Sequence, residues 1–128
     1  MNLAKYVLSA LGFAAVAFPN LCFAETWQTK GLCHFNGLTQ QCTVNATADL
    51  AHPAWSATYQ LTWADGVRQK IVVGSDVRAT VWVMGKATQA EQLPPDANGF
   101  CVIRTVTGNV TRFNSGRQDV TSDHQSGC

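Results

Sequence analysis

The stretch ATYQLTWADGVRQKIVVGSDVRATVWVM, Ala57 to Met84, limits the possible folds more than any other part of the chain. Apolar and polar residues alternate along it with period two, the spacing of strands that bury one face. Two glycine-bearing turn signals interrupt the alternation. A two-residue turn at Asp65-Gly66 would set Trp63 against Arg68 and Leu61 against Lys70, mixing apolar and charged residues on each face. A three-residue loop, Ala64-Asp65-Gly66, closes with Gly66 in the left-handed region. It sets Trp63 against Val67, Leu61 against Gln69, Tyr59 against Ile71 and Ala57 against Val73. A one-residue slip would invert every side chain, so the sorted faces select the three-residue loop. A second such loop at Gly74-Ser75-Asp76 sets Val73 against Val77 and Ile71 against Ala79. The expectation is a three-stranded antiparallel meander over 57–63, 67–73 and 77–84.

One face of that meander carries Ala57, Tyr59, Leu61, Trp63, Val67, Ile71, Val73, Val77, Ala79, Val81 and Val83. Apolar sheet of this extent needs a covering layer. Residues 30–36 and 39–48 can supply one hairpin, and Phe100 to Thr107 a further strand that Gly108-Asn109 turns into Val110 to Phe113. No helical stripe interrupts these segments. The fold class is therefore all-β, a small antiparallel sandwich or partly open barrel. Lys86 to Asn98, with Pro94-Pro95, reads as a long connection. The domain spans 25–113, and 114–128 reads as a polar tail.

The first residues bear on compartment. A short region with Lys5 precedes an apolar run from Tyr6 to Phe18, and small residues stand at Cys22 and Ala24. This is the pattern of a secretory signal peptide over 1–24, cut between Ala24 and Glu25. The run is too short to span a bilayer. Leu21 before Cys22 argues against a lipid anchor. With Lys5 removed, eight Lys and Arg balance eight Asp and Glu. Such neutrality offers no field for nucleic acid, and no membrane insertion is expected after cleavage. The localisation read from this pattern is secreted or periplasmic.

Four cysteines follow the signal: Cys33, Cys42, Cys101 and Cys128. An even count in a short exported chain reads as two disulfides, with three pairings possible. The favoured pairing closes Cys33 on Cys42 within one hairpin and pins the tail through Cys101 and Cys128. Within CHFNGLTQQC, a turn at Gly37-Leu38 puts Cys33 directly opposite Cys42. A turn at Asn36-Gly37 puts Cys33 opposite Gln40, so the first register is the expected one. His34 then lies on the face opposite the sulfur.

No complete catalytic or metal-binding constellation appears, and no cofactor is expected. Intervals of eight, 58 and 26 residues between the cysteines do not fit a zinc site. Neither a nucleophile elbow nor a phosphate-binding loop occurs. The surface singled out is the other face of the meander, where Arg68, Lys70, Arg78 and Trp82 stand with Thr80, Val72 and Met84. From Arg68 to Lys86 four cations meet one carboxylate, Asp76. An arginine beside an exposed tryptophan suits a cation–π pair, a sugar ring or an acidic partner. The same charges also suit an ordinary solvated face. The leading reading is a non-enzymatic binding module of the envelope or medium that engages a protein or glycan through these four residues, for instance as a small hydrolase inhibitor. The alternatives are a small hydrolase or metal-assisted enzyme using His34, His52 or His124, and a structural or assembly subunit.

Overall fold

The structure, a computed structural model, describes residues 24–49, 56–116 and 128. The expected signal segment up to residue 23, His52, and the tail residues 117–127 with His124 lie outside the described residues.

Eight strands follow one another: β1 (Ala24–Phe35), β2 (Leu38–Asp49), β3 (Ser56–Trp63), β4 (Arg68–Gly74), β5 (Arg78–Val83), β6 (Lys86–Leu93), β7 (Cys101–Thr105) and β8 (Val110–Phe113). Each pairs antiparallel with the next, and β8 returns to β1, so the sheet closes into a barrel. Closure removes both free edges, which an open eight-stranded sheet would present to other chains. Alternation decides which side chains face inward. Val44, Ala46, Tyr59, Leu61, Ile71, Val73, Val81, Ile103 and Phe113 are buried inside. Outward positions are mostly polar, as with Gln60, Lys70, Thr80 and Arg104. This is the reverse of a lipid-embedded barrel.

The expected β3–β4 register is present to the residue: Ala57 faces Val73, Tyr59 faces Ile71 and Leu61 faces Gln69. Gly66, at φ +91°, closes the loop, and its N–H donates to the Trp63 carbonyl at 2.8 Å. The β4–β5 register differs by two residues. Ile71 faces Val81 and Val73 faces Ala79, so the inward set survives while the turn moves to Ser75–Val77. Gln92 explains the shift, because its side-chain amide donates to the carbonyls of Gly74 at 2.9 Å and Asp76 at 2.6 Å. Val67 and Val77, expected on the buried face, are exposed at turns instead.

Two further expectations are corrected. Residues 86–93 form β6 rather than a connection; its inward positions are Thr88, Ala90 and Gln92, so it shows no apolar alternation. The β1–β2 turn is Asn36-Gly37, with Asn36 at φ +53° and Gly37 at φ +98°, and Cys33 faces Gln40. The Cys33–Cys42 bond still forms, but along a diagonal, with Cα atoms 5.8 Å apart. Barrel twist makes this possible by bringing diagonal neighbours together. The second bond joins Cys101 to Cys128, as expected.

The two ends of the barrel differ. At the end where β1 begins, the Trp27, Tyr59 and Phe113 rings pack edge to face, with centroids 6.4 and 5.2 Å apart. The Tyr59 hydroxyl donates to the carbonyl of Cys128, which is buried there by its bond to Cys101. Asn114 to Gly116 cross beneath β1, and Trp27 Nε1 donates to the Ser115 carbonyl at 2.7 Å. Gly116 sits at φ +75°, where an added Cβ would strike Thr29 Cγ2 and come within 2.7 Å of Trp27 Nε1. Replacing Gly116 by alanine therefore combines left-handed strain with a clash. The expected result is a loss of about 2 kcal/mol of unfolding free energy, read from urea denaturation.

Candidate functional site

The other end of the barrel is open. Four hairpin turns surround it: Asn36-Gly37, Ala64–Gly66, Met84-Gly85 and Val106–Gly108. Inside lies a cavity of about 450 Å³, within the range of small-molecule pockets. Its apolar wall is made by Phe35, Trp63, Val81 and Val83. Phe35 and Trp63 meet edge to face with centroids 6.5 Å apart. Space remains because the inward positions across from them are short: Thr88 on β6, Thr105 on β7 and Thr111 on β8. An eight-stranded barrel is just wide enough for large side chains to fill it, so three threonines on one side leave it partly empty.

Two inward glutamines break the apolar lining. Gln69 stands across from Leu61 and Val83 and is buried. Its Oε1 accepts from Trp63 Nε1 at 3.0 Å, and its Nε2 reaches toward Thr111 Oγ1 at 3.5 Å. That link fixes the indole plane along the cavity wall. Gln40 stands opposite Cys33. Its Oε1 is buried and has no hydrogen-bond partner among the described residues. A buried acceptor without a partner is costly and rare, and Gln40 is one of the residues that line the cavity. Asp65, at the rim, is the one ionisable residue of the lining among the described residues, and its Oδ1 accepts from the Val67 N–H at 3.1 Å. No described histidine, cysteine, lysine or arginine lines it. The arrangement can hold an apolar body, with Gln40, Asp65, Asn109 and the threonine hydroxyls as polar groups of the lining.

The residues singled out from the sequence lie on the outside of β4 and β5. Lys70, rather than an arginine, stands directly opposite Trp82, and its Nζ lies 4.8 Å from the ring centroid. Lys70 and Trp82 are both half-buried, and such a pair near the surface is worth about 0.5–1 kcal/mol. Arg68 pairs in register with Thr62 and is exposed. Arg78 is turned to Asp76, with Nη2 2.8 Å and Nε 3.1 Å from Oδ2. Glu91 stands opposite Arg78 on the neighbouring strand and binds Arg104, so a carboxylate does adjoin this surface. The structure thus brings Lys70 and Trp82 together and leaves Arg68 and Arg78 apart from them. His34 is on the outer face, with Nδ1 2.9 Å from Thr39 Oγ1. Among the described residues no group of three or more His, Cys, Asp or Glu could hold a metal ion. The cavity residues escaped the sequence reading, although two glutamines at inward positions of apolar strands were a usable signal.

Hydrogen bonds from the Arg78 side chain and backbone hold the Asp76 carboxyl below the usual carboxylate range. In Arg78→Ala it should rise toward about 3.9, as followed by carboxyl carbon NMR. The folded-state value is depressed, so any stability from the pair is complete above that pH and disappears as pH falls below it. The contribution is small, because both side chains face solvent.

No protein-family model, no curated protein and no solved structure matches the chain.

Proposed function

We propose that the protein is a non-enzymatic binding module that holds one small, largely apolar molecule in the open end of its barrel. The observation that carries this reading is the open cavity of about 450 Å³ with its wall of Phe35, Trp63, Val81 and Val83. An apolar body would pack on Phe35, Trp63, Val81 and Val83, and a donor on it would be met by a polar group of the lining, with Gln40 as the expected acceptor. The two disulfides are consistent with an oxidising extracellular or periplasmic environment. Together with the leader pattern they support export, so the ligand would be met outside the cytoplasm.

Naphthol and naphthalene test the site, because they differ by one donor. Titration calorimetry should show naphthol binding roughly threefold to tenfold tighter, the worth of one hydrogen bond. In Gln40→Leu that difference should vanish, while unfolding free energy rises by about 1 kcal/mol as the orphan is removed. Thr88→Phe fills the cavity and should abolish binding of both. Absence of binding to the wild type, or binding unaffected by Thr88→Phe, would overturn the proposal.

A second reading keeps the outer face of β4 and β5 as a docking site for a protein or glycan. Supporting it is the Lys70–Trp82 pair, which presents a cation and a ring face side by side, with Arg68 exposed on the same strand. Binding to an array of envelope glycans and hydrolases, measured with Trp82→Ala and Arg68→Ala, checks it. If neither change alters any binding found, the patch is ordinary surface.

A further inference from the structure

The rim of the open end is apolar at every hairpin. Leu38 follows the first turn and is 65% exposed; Val67 follows the second and is 45% exposed; Met84 lies in the third at 95%; Val106 lies in the fourth at 74%. Leu38 and Val67 also line the cavity, while Met84 and Val106 are the least covered of the four. Met84 is the most telling. It occupies the left-handed region at φ +53°, where asparagine, aspartate or glycine is the ordinary choice. The Asn36-Gly37 turn has the same form and uses asparagine there, also at φ +53°. A long apolar side chain at this position costs backbone energy and gains almost no packing among the described residues. A contact with something beyond them would account for it.

Charge is segregated along the barrel in the same sense. Arg68 and Lys86 flank two of the rim turns, and Lys70 lies one strand step further on. Asp65 is the one carboxylate on these four turns, and it is engaged by a backbone N–H. At the other end stand Glu25, Asp49, Asp76 and Asp96, with Arg78 the cation there, paired to Asp76, among the described residues. The open end is thus apolar at its tips and cationic just behind them. That combination complements an anionic lipid surface, where long cationic side chains reach phosphates while apolar tips enter the interface.

The shape also discriminates. Protein–protein interfaces concentrate their energy in a packed, dry centre. Here the centre of the ring is an opening, and the apolar groups are isolated tips on separate turns. A fluid phase can surround separate tips, whereas a rigid partner would have to plug the hole.

We propose that this end of the barrel docks on a lipid bilayer bearing anionic headgroups. Leu38, Val67, Met84 and Val106 enter the interface, Arg68 and Lys86 lie at phosphate level, and no strand spans the hydrocarbon. The cavity then opens onto the apolar phase. This goes beyond the ligand reading and stands on the rim alone, so vesicle binding and naphthol binding can fail independently.

The test is co-sedimentation of the purified protein with vesicles of phosphatidylcholine and phosphatidylglycerol in equal parts, beside pure phosphatidylcholine. The wild type should pellet with the mixed vesicles, and less with the neutral ones. The double variant Met84→Asn, Val106→Asn should lower the bound fraction at least about fivefold. Asparagine suits the left-handed position, so an unfolding midpoint no lower than that of the wild type is expected for this variant. Val77→Asn, which removes a 63%-exposed valine at the opposite end, should leave binding unchanged. Failure of the wild type to bind mixed vesicles would overturn the proposal, as would equal loss in Val77→Asn. So would a dimer in light scattering that the double variant splits, because the rim would then join two copies of the chain.

Discussion

Asn36 ties together the two strands that stand farthest apart in the sequence. Its N–H donates to the Val110 carbonyl at 2.9 Å, its Oδ1 accepts from the Val110 N–H at 2.8 Å, and its Nδ2 donates to Asn109 Oδ1 at 3.0 Å. The backbone ladder beside it is short, pairing only His34 with Arg112 and Phe35 with Thr111. Lower on the seam, side chains of β1 replace the ladder: Trp27 and Thr29 donate to the carbonyls of Ser115 and Asn114. Every other junction joins strands that are neighbours in sequence, so it closes a short loop. The seam joins residues 74 positions apart and carries the largest single closure entropy. Until it forms, β1 and β8 are free edges.

Closure also decides what the interior can be. A ring of eight strands has a fixed width, so its contents depend on side-chain volume at inward positions. At one end the volume is supplied by Trp27, Tyr59 and Phe113 and by the Cys101–Cys128 bond. At the other, Phe35 and Trp63 face threonines across the ring. One uniform architecture therefore yields a packed floor and an empty top. The stabilising residues and the candidate ligand-contacting residues are separated along the axis, which lets the top carry an unpartnered glutamine oxygen while the floor remains fully packed.

What the sequence revealed followed from how directly each strand signals burial. β3 and β4 alternate large apolar residues with polar ones, and their register could be read to the residue. The β4–β5 turn was misplaced by two, because Gln92, distant in sequence, holds it through three hydrogen bonds. β6 was invisible, since its inward residues Thr88, Ala90 and Gln92 are small or polar. The diagonal Cys33–Cys42 bond depends on barrel twist, which no local pattern announces. Arg68, Lys70, Arg78 and Trp82 were correctly placed on one outer face, but their pairings shifted with the turn. The cavity is a shortage of volume, and it shows only once the ring is known to close.

Segregated charge gives the barrel a property distinct from its net charge. In the chain after residue 24 the formal charges cancel, so a uniformly charged surface exerts little net pull on it. An excess of cations near the open rim, despite Asp65, and of carboxylates near the packed floor, despite Arg78, nonetheless forms an electric dipole along the axis, among the described residues. A field acts on such a molecule chiefly as a torque. Approaching an anionic surface, the barrel turns its open end forward before any contact is made, and added salt removes that alignment within about 10 Å at 0.1 M ionic strength.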